Sequence, residues 1–293
     1  MLGRHIRAAL EKAGAQVVVV PRASIPDSAA GGWDLVDWLS PTELDALFQD
    51  VQGVVHAGAM VPKTDEPIDE GRMFNANVRA CVDLGQWAIG RNIPLVHISG
   101  AIVYQDTGKS GHNEEAALGW NGLGGFYGFS KLLAEDVLRR LGQRGLRLAV
   151  VRPSSIYGFG LSPSKMVSRF LATARDGGTI ELSHSVCDRV DLVHGADVSR
   201  AVLAILEKEA WGTFNVASGR PVTIKELAEA CVSVAGRGSV RVPEEVHSLG
   251  REHLTRFALD ISRAKSQFGW TPLYDIKRGL SMMLQERILD DFQ

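Results

Sequence analysis

The sequence predicts an α/β protein: a doubly wound parallel sheet with helices on both faces and a small C-terminal α/β region beside it. Three observations carry this. Short apolar runs alternate with helix-period stretches through the first half of the chain, which is the pattern of crossover units. That rhythm breaks after Gly158, where helices and short strands follow in less regular order. The 293 residues, 45% hydrophobic and 23% charged, suffice to bury a core without staples. The implied division is 1–157 for the sheet domain and 158–293 for the remainder, with some of its helices and strands returning to the sheet.

Residues 3–14 read as an amphipathic helix stopped by Gly14, and Val17-Val18-Val19-Val20 as a buried strand. A polar loop runs to Gly32 and a short helix covers 41–48. Strands are expected at 54–57, 95–99 and 146–152, with helices over 68–91 and 126–141 between them. A Gly-rich loop spans 108–125. Beyond Gly158, helices are expected at 165–175, 196–208, 224–235 and 274–287, with strands near 180–182, 190–193 and 213–216.

Composition excludes several classes. Lys+Arg 32 against Asp+Glu 34 gives net −2, with no basic excess for a nucleic acid backbone. No apolar run approaches the length that spans a bilayer, and the N-terminus lacks the apolar stretch of a signal peptide. Cys81, Cys187 and Cys231 form no CxxC pair, which argues against a disulfide framework or a zinc knuckle. The expectation is a soluble cytoplasmic protein with no metal, membrane or nucleic-acid partner.

Tyr127-Gly128-Phe129-Ser130-Lys131 places a phenol and an ammonium on one helix face. A phenol with a pKa near 10 is a poor base at neutral pH, and a nearby ammonium favours its phenolate. The spacing alone equally describes a half-buried tyrosine beside a solvated lysine. Its place in the chain argues for chemistry. In an open parallel sheet, ligands sit at the carboxyl ends of the strands, where Ser99, Tyr127 and residues 153–156 converge.

In this setting the chain resembles the extended short-chain dehydrogenase/reductase family, of the NAD-dependent epimerase/dehydratase type. The resemblance covers nearly the whole chain in order, and implies a Rossmann-type dinucleotide domain over 1–157 and a mainly substrate-binding region over 158–293. Asp34-Leu35 resemble the residues that meet the adenine. Ala57-Gly58-Ala59 resemble the strand end beside pyrophosphate and ribose, with Gly58 where alanine is usual. Asn77 resembles the asparagine that steadies the active site. Tyr127 and Lys131 resemble the catalytic pair. Pro153, Ser154 and Ile156, within 152–158, resemble the strand end by the nicotinamide. Val193-His194 with Asp197, Phe214-Asn215-Val216, and Asp260 through Trp270-Thr271-Pro272 resemble landmarks of the substrate region. The resemblance implies NAD(P), a sugar or nucleotide-sugar substrate, and Tyr127 as acid/base supported by Lys131. It also implies a homodimer through the helices at 68–91 and 126–141, with a stripe drawn from Met73, Val78, Cys81, Leu84, Trp87 and Ala88.

The sequence departs from the family at three places. Gly3 stands where the third glycine of the GxxGxxG loop belongs, and the first strand and first two glycines do not precede it. The expected consequence is a gap in the sheet, with a chain start placed inside a longer reading frame as the plain explanation. Gly100 stands where the family places its catalytic Ser or Thr; Ser99 substitutes only where the strand has ended or bulges. Ala101-Ile102 replace the acidic pair of the 4,6-dehydratases, which disfavours dehydration. Arg189 and Arg251 are candidates for a diphosphate clamp, with two ordinary surface arginines as the alternative.

Arg22 follows the 17–20 run where NAD users place an acid, which points to NADP over NAD, with an ordinary exposed loop arginine as the alternative. Cys81 and Cys231 read as core thiols, His56 and His194 as hydrogen-bonded structural histidines. The intact Tyr127/Lys131 pair favours an oxidoreductase or epimerase. Gly100 and the incomplete glycine loop favour a non-catalytic binding or regulatory member of the fold.

Overall fold

The computed structural model describes residues 1–19, 41–62, 67–106, 109–119, 124–182, 186, 188–244 and 256–289. Its centre is a four-stranded parallel sheet of β1 (Val54–His56), β2 (Leu95–Ile98), β4 (Leu148–Pro153) and β9 (Gly212–Val216), in that spatial order. The ladders are in register, with Val54 opposite Leu95, His97 opposite Val150, and Val151 opposite Phe214. The predicted doubly wound α/β architecture is therefore observed.

Alternation along the strands assigns the two faces. Val96, Ile98, Val151, Phe214 and Val216 pack with Ile6 of α1 (Leu2–Lys12) and with Val198, Val202 and Ile205 of α7 (Gly195–Lys208). Leu95 on the opposite face packs with Cys81 and Ala88 of α4 (Ala80–Arg91) and with Ala134 and Leu138 of α5 (Gly125–Gly142). Each such side chain, fully buried, contributes about 1.5–3 kcal/mol, so both layers are held by tens of ordinary contacts rather than by one feature. Gly85 makes the α4–α5 contact close: a Cβ there would run into the Leu141 side chain.

The helical stretch predicted over 68–91 is segmented. It begins with α3 (Glu70–Phe74), capped by the Asp69 side chain accepting from the Arg72 N–H at 3.0 Å. A π-helical segment, Asn75–Arg79, then joins it to α4. A short α2 (Pro41–Leu47) precedes β1.

The predicted strand at 17–20 is not formed over its described residues. Residues 17–19 have no regular structure, and Val18 and Val19 are 59% and 45% exposed. Among the described residues, no strand stands next to them. A cleft of about 1640 Å³ separates them from β1, which forms the sheet edge. Its walls include Ile6, Leu10, Val54, Trp87, Leu206 and Trp211. In a parallel ladder successive residues bond to opposite sides. Val54 donates to the Pro94 carbonyl at 2.9 Å, so Val55 turns its amide toward the cleft.

After β4 the chain forms β5 (Ser155–Tyr157), which pairs in parallel with β8 (Leu192–His194). Around them, α6 (Met166–Arg175), α8 (Ile224–Ala235) and α10 (Ile276–Leu284) share a second core of Val167, Leu171, Leu227, Cys231 and Leu280. Small pairings among the described residues complete this part: β6 (Thr179–Glu181) with β11 (Ser239–Arg241), β7 (Arg189–Val190) with β10 (Val222–Thr223), β3 (Ser110–His112) with β12 (Ala258–Leu259), and the isolated bridges of Tyr104 to Leu118 and Arg189 to Arg256. α9 (Ser262–Phe268) packs on β9 through Phe268 and Phe214.

Candidate active site

Two glycines set the start of α5. A Cβ at Gly124 would lie 2.6 Å from Ile102 Cγ1, and at Gly128 3.4 Å from the same atom. Their absence of side chains lets the first turn of α5 sit on the 3-10 turn Ala101–Val103, which directly follows Ser99 and Gly100. The carboxyl end of β2 and the Tyr127 turn are thereby brought together.

Tyr127 is half-buried, and burial pushes its phenol up from the usual tyrosine value. Lys131 lies one turn on and is buried, with Nζ donating to the Ile98 carbonyl at 2.8 Å. In this conformation the Lys131 ammonium donates to Ile98, and burial is the influence that raises the Tyr127 phenol. Burial also lowers Lys131, opposed by charge at Cys81 and Glu135.

Ser99 lies just past the end of β2, and its N–H donates to the Val151 carbonyl at 2.8 Å. Its hydroxyl is buried without a hydrogen-bond partner among the described residues, a condition that costs about 1–3 kcal/mol unless another group satisfies it. Gly100 is extended at φ 177°, and a Cβ there meets only Ile102 Cγ2 at 3.8 Å. The backbone therefore does not require glycine at that position.

Asn77 sits in the π-helical segment and ties three elements together. Its Nδ2 donates to the Met60 carbonyl and to Ser130 Oγ, both at 3.0 Å, and its Oδ1 accepts from the Met60 N–H at 2.7 Å. Ser130 in turn donates to the Tyr127 carbonyl at 2.8 Å. The loop after β1 is thus fixed to the Tyr127 turn.

The middle of α5 is tied to β4. Arg152 Nη2 and Glu135 Oε2 are 2.6 Å apart, with both side chains at most 2% exposed. Arg152 Nη1 also donates to Tyr104 Oη and to the Glu114 carbonyl at 3.1 Å, and Tyr104 donates to Asn215 Oδ1 at 2.6 Å. Asn215 donates from Nδ2 to the carbonyls of His112 and Asp260. Glu135, Glu114 and Asp191 are members of this polar framework that the sequence did not single out for it. Asp191 accepts from Ser218 N–H, Ser218 Oγ and Leu259 N–H. Nothing in their spacing signals this, because their partners lie tens of residues away.

The other candidates fall in three places. Gly3, Ala57, Gly58 and Ala59 line the cleft beside β1. The N-terminus of α1, without a side-chain cap, opens there with Met1 and Arg4, an arrangement that suits an anion. Pro153 ends β4, Ser154 is buried with its hydroxyl 3.4 Å from Asp191 Oδ1, and Ile156 is half-buried in β5. Arg189 is exposed and donates to the Pro221 carbonyl at 3.0 Å. Its backbone bridges to Arg256, an exposed arginine the sequence did not flag. Arg22, Asp34, Leu35 and Arg251 lie outside the described residues.

The apolar stripe expected to form a dimer contact is used internally. Met73, Val78, Cys81, Trp87 and Ala88 are each at most 5% exposed: Cys81 and Ala88 pack with Leu95 and α5, and Trp87 lies against Phe48 and Asp45. The exposed large apolar groups near these helices are Val61, Ile68 and Phe74.

A family model described as NAD dependent epimerase/dehydratase family matches residues 1–217. The chain belongs to this family. Among similar proteins, dTDP-4-dehydro-6-deoxy-D-allose reductase of a Streptomyces species is 28% identical over 265 residues, covering 80% of this chain and 78% of that protein. GDP-6-deoxy-D-mannose reductase of Pseudomonas aeruginosa is 25% identical over 304 residues, covering 97% and 93%. Among solved structures, UDP-N-acetylglucosamine 4-epimerase from Bacillus cereus superposes with a TM-score of 0.81 at 22% identity, over 98% of this chain and 96% of that one. RMD from Pseudomonas aeruginosa, complexed with NADPH, gives 0.77 at 23% identity over 98% and 95%. These structural likenesses establish the Rossmann-type fold of this epimerase/dehydratase-family chain. No described helix is long and apolar enough to cross a membrane.

Proposed function

We propose that this family member is an NAD(P)-dependent reductase or epimerase of a sugar nucleotide, with Tyr127 as the proton donor and acceptor. The observation that carries the reading is the buried, unpartnered Ser99 hydroxyl at the end of β2, on the turn against which the Tyr127 helix begins. A hydroxyl there has hydrogen-bonding capacity that the described residues leave unused, and a substrate oxygen between Ser99 and Tyr127 satisfies it.

The residues present suit a dinucleotide. Its pyrophosphate fits the uncapped N-terminus of α1 at Gly3, and its ribose and nicotinamide fit Ala57, Gly58, Ala59, Asn77, Pro153, Ser154 and Ile156. When bound, such a cofactor supplies or accepts a hydride. The chain's own residues do the rest. Tyr127 moves the proton of the sugar hydroxyl. Ser99 orients that oxygen. Lys131, released from the Ile98 carbonyl toward the site, supplies the positive charge that stabilises the phenolate.

The relatives' names favour a nucleoside diphosphate sugar as substrate. An arginine pair suits its diphosphate, and Arg189 with Arg256 is the pair that the described residues bring side by side. NADP remains the favoured cofactor on Arg22, residues 1–157 the dinucleotide part and 158–293 the substrate part. A homodimer in the cytoplasm remains the expected state, with Val61, Ile68 and Phe74 the apolar groups available for its contact.

The test is isothermal titration with NADPH and NADH, followed by reduction of a dTDP- or GDP-linked 4-dehydro-6-deoxy sugar. Turnover that Tyr127→Phe abolishes, with cofactor binding retained, is the expected result.

A further inference from the structure

We propose that His56, Cys81 and His97 form a buried site for a tetrahedral transition metal ion, with zinc the expected occupant.

The three residues come from three elements. His56 ends β1, His97 lies in β2, and Cys81 is in the first turn of α4. The parallel register places His56 opposite His97, so both rings leave the same face of the sheet, toward α4. The two Nδ1 atoms are 3.2 Å apart, and Cys81 Sγ is 3.5 Å from the first and 3.8 Å from the second. A tetrahedral ion with zinc-type bond lengths sets its ligand atoms about 3.3 Å apart for two nitrogens and about 3.6 Å for nitrogen and sulfur. The observed triangle matches these edges to about 0.2 Å.

The donor set of one sulfur and two imidazole nitrogens suits zinc and cobalt. His56 lines the cleft beside β1, which gives an ion a route in. Lys131, whose Nζ donates to the Ile98 carbonyl next to His97 at 2.8 Å, opposes a cation, and the thiolate that the ion binds offsets that charge. Binding is a ligand exchange without redox chemistry. The ion loses water, gains two bonds to Nδ1 and one to Sγ, and the Cys81 S–H proton leaves to solvent. The separations of 16 and 25 residues along the chain explain why no ligand motif shows in the sequence.

The full chain, stripped with a chelator, is titrated with cobalt(II) and then zinc(II). The expected result is one equivalent of cobalt with the intense visible bands of tetrahedral coordination and a sulfur-to-metal charge-transfer band. One proton is released per ion, and zinc bleaches the colour. Cys81→Ser removes the charge-transfer band while circular dichroism stays native. Should that variant misfold, zinc protection of Cys81 from alkylation in the wild type, read by mass spectrometry, replaces it. A wild-type spectrum showing only octahedral cobalt, a charge-transfer band that survives Cys81→Ser, or unprotected Cys81 overturns the proposal and leaves a hydrogen-bonded triad. None of these readouts depends on the Tyr127 reading.

Discussion

Glu135 and Arg152 form an ion pair of 2.6 Å that is sealed from solvent and joins the Tyr127 helix to the central strand β4. Glu135 lies one turn beyond Lys131, so the pair sets how the helix carrying both candidate groups sits on the sheet. Removing one partner leaves a buried charge. Arg152→Met and Glu135→Gln are each expected to lower unfolding stability by about 3–5 kcal/mol, measured by urea denaturation. A loss below about 1 kcal/mol means the pair does not fix the helix.

Asn77 is a smaller lock. Asn77→Ala breaks its bonds to Met60 and Ser130 and leaves buried polar groups unpaired, at about 1–3 kcal/mol. Hydrogen exchange at the Met60 amide is expected to accelerate, while exchange in β9 changes little.

Acid is expected to destabilise the fold through two histidines. Burial lowers His56 to about 3 and His97 well below its usual value. Both stay neutral when folded and take up protons near 6.5 when unfolded. For His56 the contribution is therefore complete above about pH 6.5 and is lost as pH falls toward about 3, and for His97 it is lost in the same direction. His97→Phe is expected to flatten the pH dependence of unfolding over that window. An unchanged slope contradicts it.

These two histidines show what the sequence conceals. The strands at 54–57 and 95–99 and the helices around them were legible from periodicity. The convergence of His56, Cys81 and His97 was not, because it depends on strand register and on the position of α4. The same holds for the dimer stripe. Met73, Val78 and Trp87 repeat at helical spacing, but periodicity does not say which neighbour a face meets, and here it is the chain's own core. Asn77 and Tyr127 were legible as motif residues, whereas the ammonium of Lys131 on the Ile98 carbonyl required coordinates.

Gly100→Ser places a hydroxyl where the backbone is extended and the nearest atom leaves room. If that hydroxyl joins Ser99 on the substrate oxygen, turnover is expected to rise by up to about a hundredfold, the effect of one added donor. Unchanged turnover assigns the whole contribution to Ser99.

The measurement that bears most directly on the proposed function is single-turnover reduction of a nucleotide-linked 4-dehydro-6-deoxy sugar by NADPH, in the wild type and Tyr127→Phe. The expected result is a rate reduced by orders of magnitude in the variant, with NADPH affinity unchanged, because the ring remains and only the transferable proton is lost. Equal rates in the two proteins contradict the assignment of Tyr127 as the acid/base.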